Sequence, residues 1–562
     1  MIGVYKRMKK ESRKIDLIIA FLINIGFFLF YTCCCTLLHE TNDDMAMSFL
    51  VEGAYGEHSE YLIFQNVLWG KVLVFLYTLL PMLKWYSITM YGMLFLAFFG
   101  ISYVLLRKQG RKVGVMTSVI MLMFCGFQIY VRFQFSKIAA VVTAGGMILV
   151  LYGLKYAICK WEKYCAIIFG AILSLWGSMI RFQMFAMSVV LVGGCIALYE
   201  VWKLFREKKE GWMKQIGTYI AVFGTIGVLS LGLYMIDQAF YASEERQEYT
   251  EFNKLRSELW DYGLPDYSAN FDTYTSLGIS AVDYEFYNAW NMDPELLGVE
   301  EMKALIEARG EREISLIEFL RLYPKEFLSN SLFILFIILS LAALCMDKKN
   351  LYFVAYGFCG VMALQLYFYM IGRYGLTRID YSMWSAAVIA LLYGINVKSV
   401  REIAWKWVAV AISIGLVFSI ADYDRKKDGY VNYVGAFRYF FQQTTLDKDN
   451  LYVMLIMSPT TYFGYSFWEE CKLGQLSNVY NAFGWESAMS VKENMLDKYE
   501  LDNVFRDGID NENVYYCVGS YGDLFQMYIR ENYNPDATLV YEKEVGGVPV
   551  YSLRTEGLLE SE

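Results

Sequence analysis

The feature that most constrains this chain is a series of apolar runs, each near the length of about 20 residues that crosses a bilayer as a helix. They lie at 15–37, 85–106, 113–131, 136–157, 164–180, 184–202, 215–236, 327–345, 351–371, 381–396 and 404–421. A chain so built cannot fold as a soluble globule. Composition agrees: 56% of the 562 residues are hydrophobic and 19% are charged, against about 25% charged in soluble domains. The expected fold class is an α-helical polytopic membrane protein of about 11 transmembrane helices.

Basic residues set the expected topology. The start, MIGVYKRMKKESRK, carries six of them before the first run and shows no small-residue cleavage site after it. It reads as an uncleaved helix that begins in the cytoplasm. RKQGRK at 107–112 and the lysine-rich joints at 155–163, 203–214, 348–349 and 398–406 then alternate onto the same side. That register holds only if 62–80 does not span, so this stretch is expected to lie in the outer interface.

Two large segments fall outside the membrane by this count. Residues 237–326 have a net charge of −12, and residues 422–562 a net charge of −11. The division is thus 1–421, a membrane domain with a first outside loop at 38–84, and 422–562, an extracytoplasmic α/β domain. Its strand-like runs include a hairpin expected in ATLVYEKEVGGVPVYSL. Acidic outer parts exclude nucleic acid as a partner, because a phosphate backbone requires a basic stripe. With only two histidines, His39 and His58, a histidine-rich metal site is excluded, as is a Ser-His-Asp hydrolase in the C-terminal domain. The cysteines show no metal-binding spacing.

Chemistry is best sought in the first outside loop, HETNDDMAMSFLVEGAYGEHSEYLIFQN. Asp43 and Asp44 stand side by side a few residues beyond the first span. Ionised together they raise each other's pKa unless a cation or hydrogen bonds compensate. They could deprotonate an acceptor hydroxyl, or hold a divalent cation such as magnesium or manganese. The plainer alternative is that Asn42 and Asp43 cap the helix that follows, where acids favour the dipole.

The order of helix one, acidic pair, short helix ending at Gly53-Ala-Tyr, interfacial helix and helix two resembles the GT-C superfamily of membrane glycosyltransferases. That superfamily includes protein O-mannosyltransferases, oligosaccharyltransferases and aminoarabinose transferases. The resemblance implies a catalytic carboxylate at Asp43 or Asp44 and a polyprenyl-phosphate-linked sugar as donor. The aminoarabinose branch carries Lys-Pro-Pro at the start of the second interfacial helix. Here Gln65-Asn66-Val67 stands there, with Lys71 about one turn later.

Four arginines mark outer helix ends: Arg132 and Arg181, each in an RFQ triplet, and Arg373 and Arg378 in GRYGLTRID. With Lys71 they are candidates for the donor phosphate, since a guanidinium presents a planar fork of donors. Alternatively they reach to lipid headgroups or pair with loop acids. His58, Asn66 and Trp69 are candidate substrate contacts. The expected function is transfer of sugar from the polyprenyl phosphate to an envelope glycan, lipid or protein acceptor on the outer face. The alternatives are a surface-polysaccharide polymerase or ligase, and a non-catalytic scaffold or transporter.

Overall fold

The computed structural model describes residues 2–207, 211–310, 315–395, 438–455 and 467–556, except 488, with scattered positions in 396–437. Most of the run at 404–421 therefore lies outside the described residues.

Helix α1 (Ile2–Cys34) is followed by a two-residue strand β1 (Leu38–His39), then α2 (Asp43–Glu52) and α3 (Val67–Leu79). The bundle continues with α4 (Trp85–Gln109), α5 (Arg111–Met121), β2 (Arg132–Phe133), α6 (Phe135–Lys155) and α7 (Lys160–Ile180). A π-helical stretch, Leu122–Val131, prolongs α5 toward β2. Next come α8 (Phe182–Ser188), α9 (Cys195–Glu207) and α10 (Trp212–Tyr241). Among the described residues eight helices are long and apolar enough to cross a membrane. A ninth span arises if Leu316–Ser329 and Ser331–Met346, bent by 88° at Asn330, act as one. At 13 residues, α3 is too short to cross at 1.5 Å per residue. The 381–396 run forms most of the helix Thr377–Gly394, which is buried along 381–394 inside the bundle.

Small residues set the bundle's tightest joint. A Cβ on Gly146 of α6 would stand 2.5 Å from the carbonyl oxygen of Gly170 on α7, and one on Gly170 would stand 2.6 Å from that of Gly146. Backbones this close replace the hydrophobic drive that is absent between helices in lipid.

Strands β1 and β2 pair in parallel, Leu38 with Arg132 and His39 with Phe133. This short ladder ties the loop after α1 to the loop before α6. Helix α2 follows at once. Its first-turn acids suit the helix dipole, and Gly53 at φ 73° ends it in the left-handed region. The Asn42 side chain makes no cap hydrogen bond.

The C-terminal domain carries a five-stranded mixed sheet. Its strands are β3 (Leu451–Met454), β4 (Val479–Asn481), β5 (Val514–Cys517), β6 (Ala537–Val545) and β7 (Val548–Thr555), in the order β4-β3-β5-β7-β6. Gly546 and Gly547, at φ 59° and 84°, turn β6 into β7, as a two-residue hairpin with positive φ at both positions requires. The domain rests on the loop after α2: Gly474 N–H donates to Gly53 O at 2.8 Å, and Leu476 N–H to Ala54 O at 2.7 Å.

A buried ion pair of the membrane part stands at this junction and is bonded by the C-terminal domain. Glu52 at the end of α2 meets Lys84 Nζ at 2.7 Å. Its carboxylate also accepts from Ser48, from Tyr77 and from the Cys471 N–H at 2.7 Å. Removing one partner strands the other charge, so Glu52→Ala should cost about 3–5 kcal/mol. A fall in thermal midpoint in detergent measures this, and adding Lys84→Met should recover part of it. Equal stability of the single and double variants would contradict the pairing.

Candidate functional site

The two adjacent aspartates face different surroundings. Asp44 is fully buried. Its Oδ1 accepts from Tyr86 Oη at 2.9 Å and from the Phe135 N–H at 3.2 Å, while Oδ2 has no partner among the described residues. Burial holds its carboxyl well above the usual carboxylate range, Tyr86 opposes that shift, and Asp43 adds to it. Asp43 is half-buried and turns toward the C-terminal domain, where Trp485 Nε1 donates to its Oδ1 at 3.3 Å. The pair is thus a carboxyl held in the core beside a carboxylate at a surface.

Asp44 carries its own pH prediction. Its pKa is raised on folding, so the stability its protonated form contributes is complete below about pH 4. That stability is lost as the pH rises through the folded value. Asp44→Asn cannot ionise, so its thermal midpoint should gain on the parent's as pH increases. A difference that stays flat with pH would show that burial does not govern this group.

Around Asp43 the fold gathers arginines from separate parts of the chain. Arg181, between α7 and α8, sits over the rings of Phe135 (5.0 Å) and Phe64 (5.5 Å). Its Nε is buried without a hydrogen-bond partner among the described residues. Burial and the like charge of Arg378 lower its pKa to about 10, and Asp43 opposes them. Arg256 lies in helix α11 (Glu244–Tyr262) and is 3% exposed. Burial lowers its pKa, while Asp261 and Asp43 act against burial. Arg373 pairs with Asp261 at 2.9 Å. Four guanidinium groups thus share this region with the carboxylates of Asp43 and Asp261. The arginines come from three of the segments that join bundle helices, and Asp43 comes from a fourth.

A polar cavity of about 130 Å³ opens beside Arg181, lined also by Asn66, Gln183, Asp237 and Gln238. Asn66 caps α3 by accepting from Leu68 N–H, and donates through Nδ2 to Leu233 O.

Other residues singled out in the sequence have different neighbours. Arg132 reaches Glu40 at 3.4 Å, and the same Glu40 meets buried Lys137 at 2.5 Å. Lys71 lies 3.9 Å from Glu60 and over the Phe240 ring. His58 bonds through Nδ1 to Val51 O at 2.7 Å. Trp69 is buried against Trp176, edge to face at 5.0 Å. Among the described residues no three His, Cys, Asp or Glu side chains gather as a metal site.

Arg256 and Trp485 carried no such signal in the sequence. In the sequence Arg256 lies between Glu251 and Glu258 and reads as part of a solvated helix face. Only the approach of α11 to Asp43 gives it meaning.

No protein-family model matches this chain, and no curated protein matches it. Two solved proteins are similar in chain course. One is ArnT from Cupriavidus metallidurans bound to undecaprenyl phosphate: 10% identity, TM-score 0.40, covering 95% of this chain and 97% of that one. The other is the archaeal oligosaccharyltransferase AglB from Archaeoglobus fulgidus in complex with an inhibitory peptide and a dolichol-phosphate. It shows 10% identity and a TM-score of 0.43, and the match covers 97% of this chain and 74% of that one.

Proposed function

We propose that this multi-pass membrane protein is a glycosyltransferase that moves a sugar from a polyprenyl-phosphate-linked donor to an acceptor hydroxyl. One observation carries the proposal: a half-buried carboxylate, Asp43, lies within electrostatic reach of Arg181 and of the buried Arg256, with Arg373 and Arg378 in the same region. Such a site holds an anion beside a base.

In this mechanism Asp43 accepts the proton of the acceptor hydroxyl as its oxygen attacks the anomeric carbon. The bond from that carbon to the phosphate oxygen breaks on the opposite face, so configuration inverts. The electron pair leaves with the phosphate, and Arg181 and Arg378 stabilise the charge that develops there. Fixed donors aimed at developing charge in a site of low dielectric are typically the largest catalytic contribution. Asp44 acts as a positioning residue: anchored to Tyr86 and the Phe135 N–H, it fixes the first turn of α2 and so the direction of Asp43. The acceptor and catalytic groups are proposed to face the outside, with the N-terminus in the cytoplasm. Transfer assayed with radiolabelled lipid-linked sugar in proteoliposomes tests the proposal. Retained transfer in Asp43→Asn would remove the base and leave an anion-binding membrane protein.

A further inference from the structure

Two residues lining the polar cavity of about 130 Å³ beside Arg181 carry a buried polar atom with no hydrogen-bond partner among the described residues. One atom is Arg181 Nε, a donor. The other is Oε1 of Gln65, an acceptor on a residue only 2% exposed. Neighbours fix the orientation of the Gln65 amide. Tyr86 Oη gives its single hydrogen to Asp44 Oδ1 at 2.9 Å, so it accepts from Gln65 Nε2 at 2.8 Å. The carbonyl oxygen is therefore the end left over. A buried carbonyl without a donor carries the full cost of leaving water. Its place in a cavity lining calls for an occupant that supplies the donor.

That occupant must both donate and accept. An ionised phosphate offers acceptors only, which suits Arg181 and not the Gln65 carbonyl. Hydroxyl groups do both. The formal charges in the lining, Arg181 and Asp237, cancel. A carboxylate or an ammonium group would gain at one and lose at the other. Phe64, Phe182 and Tyr234 supply apolar surface, the last two stacked at 4.6 Å. The volume is close to that of a cavity of about 150 Å³ that takes one benzene ring. The cavity also adjoins the base: Phe64 meets the Trp485 ring at 5.4 Å, and that indole donates to Asp43.

We propose that this cavity takes the sugar ring of the lipid-linked donor, and that the ring is an uncharged pyranose. Gln65 selects it by accepting from a ring hydroxyl, while Arg181 Nε donates to a ring oxygen. That the ring belongs to a donor rests on the transfer reading; the preference for a hydroxylated ring does not.

Calorimetry on the full chain in phosphatidylcholine nanodiscs, without acceptor, tests this. The probes are polyprenyl phosphate alone and the same carrier bearing glucose, galactose, mannose, glucosamine or glucuronate. At least one of the three uncharged sugars should bind about tenfold more tightly than the bare carrier, the effect of one hydrogen bond to a previously unpaired group. It should also bind more tightly than both charged sugars. Gln65→Met should remove that gain and leave the bare carrier's binding unchanged, which also reports that the variant is folded. Gln65→Asn, which stays polar but is shorter, should lose the gain as well. Asp43→Asn should keep it, so that loss of transfer and loss of sugar recognition are read separately. Equal or absent binding of the bare carrier and the three uncharged sugars would leave water as the occupant and overturn the proposal. So would a gain that survives in either Gln65 variant, or a charged sugar that binds most tightly.

Discussion

Asp43→Asn should lower transfer from the lipid-linked donor by about 10²–10⁴-fold, the usual contribution of a positioned general base. The substitution keeps the shape of the side chain and its acceptor oxygen for Trp485, so folding should be unaffected. Donor binding should hold as well, because removing a negative charge beside Arg181 and Arg256 does not weaken their hold on phosphate. The loss should therefore fall on kcat. Asp44→Asn should retain transfer within about tenfold, since an amide can still accept from Tyr86 and Phe135 N–H. The reverse pattern, with Asp44→Asn inactive and Asp43→Asn active, would move the base to the buried residue. Full activity in both, combined with loss on arginine substitution, would favour a polymerase or ligase that uses the arginines alone.

The second large effect is expected at Arg181. Arg181→Gln should cost about 10²–10³-fold in kcat, as loss of one donor to a developing anion typically does. It should also raise KM for the lipid-linked sugar, because the same guanidinium meets the ground-state phosphate. Arg181→Lys should rescue little, since a point charge lacks the planar fork. Arg132→Gln offers the contrast. Arg132 is bound to Glu40, and its loss should show mainly as lowered thermal stability. Equal kinetic losses at both arginines would refute the division drawn between the two groups.

Much of this was legible in the residues. Run length marked the eight spans found among the described residues. Alternating apolar residues and the Gly-Gly pair marked the β6–β7 hairpin. Asp43 and Asp44 drew attention together because adjacent acids near a membrane face are costly without compensation. The four arginines could not be told apart. Arg132 and Arg181 share an RFQ triplet, yet one is paired by Glu40 while the other keeps a buried Nε with no partner among the described residues. The difference arises because β1 pairs with β2, which delivers Glu40 to the first arginine and not to the second. Likewise, adjacent Asp43 and Asp44 have the same chemistry in the sequence. The helical turn of α2 sends one into the core and the other to the C-terminal domain.

Hydrophobic run length alone made this a membrane protein, because a lipid-spanning backbone must satisfy its own hydrogen bonds and only long apolar helices here can do so. Which charges meet was decided by tertiary structure. Asp43, Arg181, Arg256, Arg373 and Trp485 come from five distant stretches of chain. Electrostatic partnership depends on distance in space, and packing of the loops over the bundle end sets that distance.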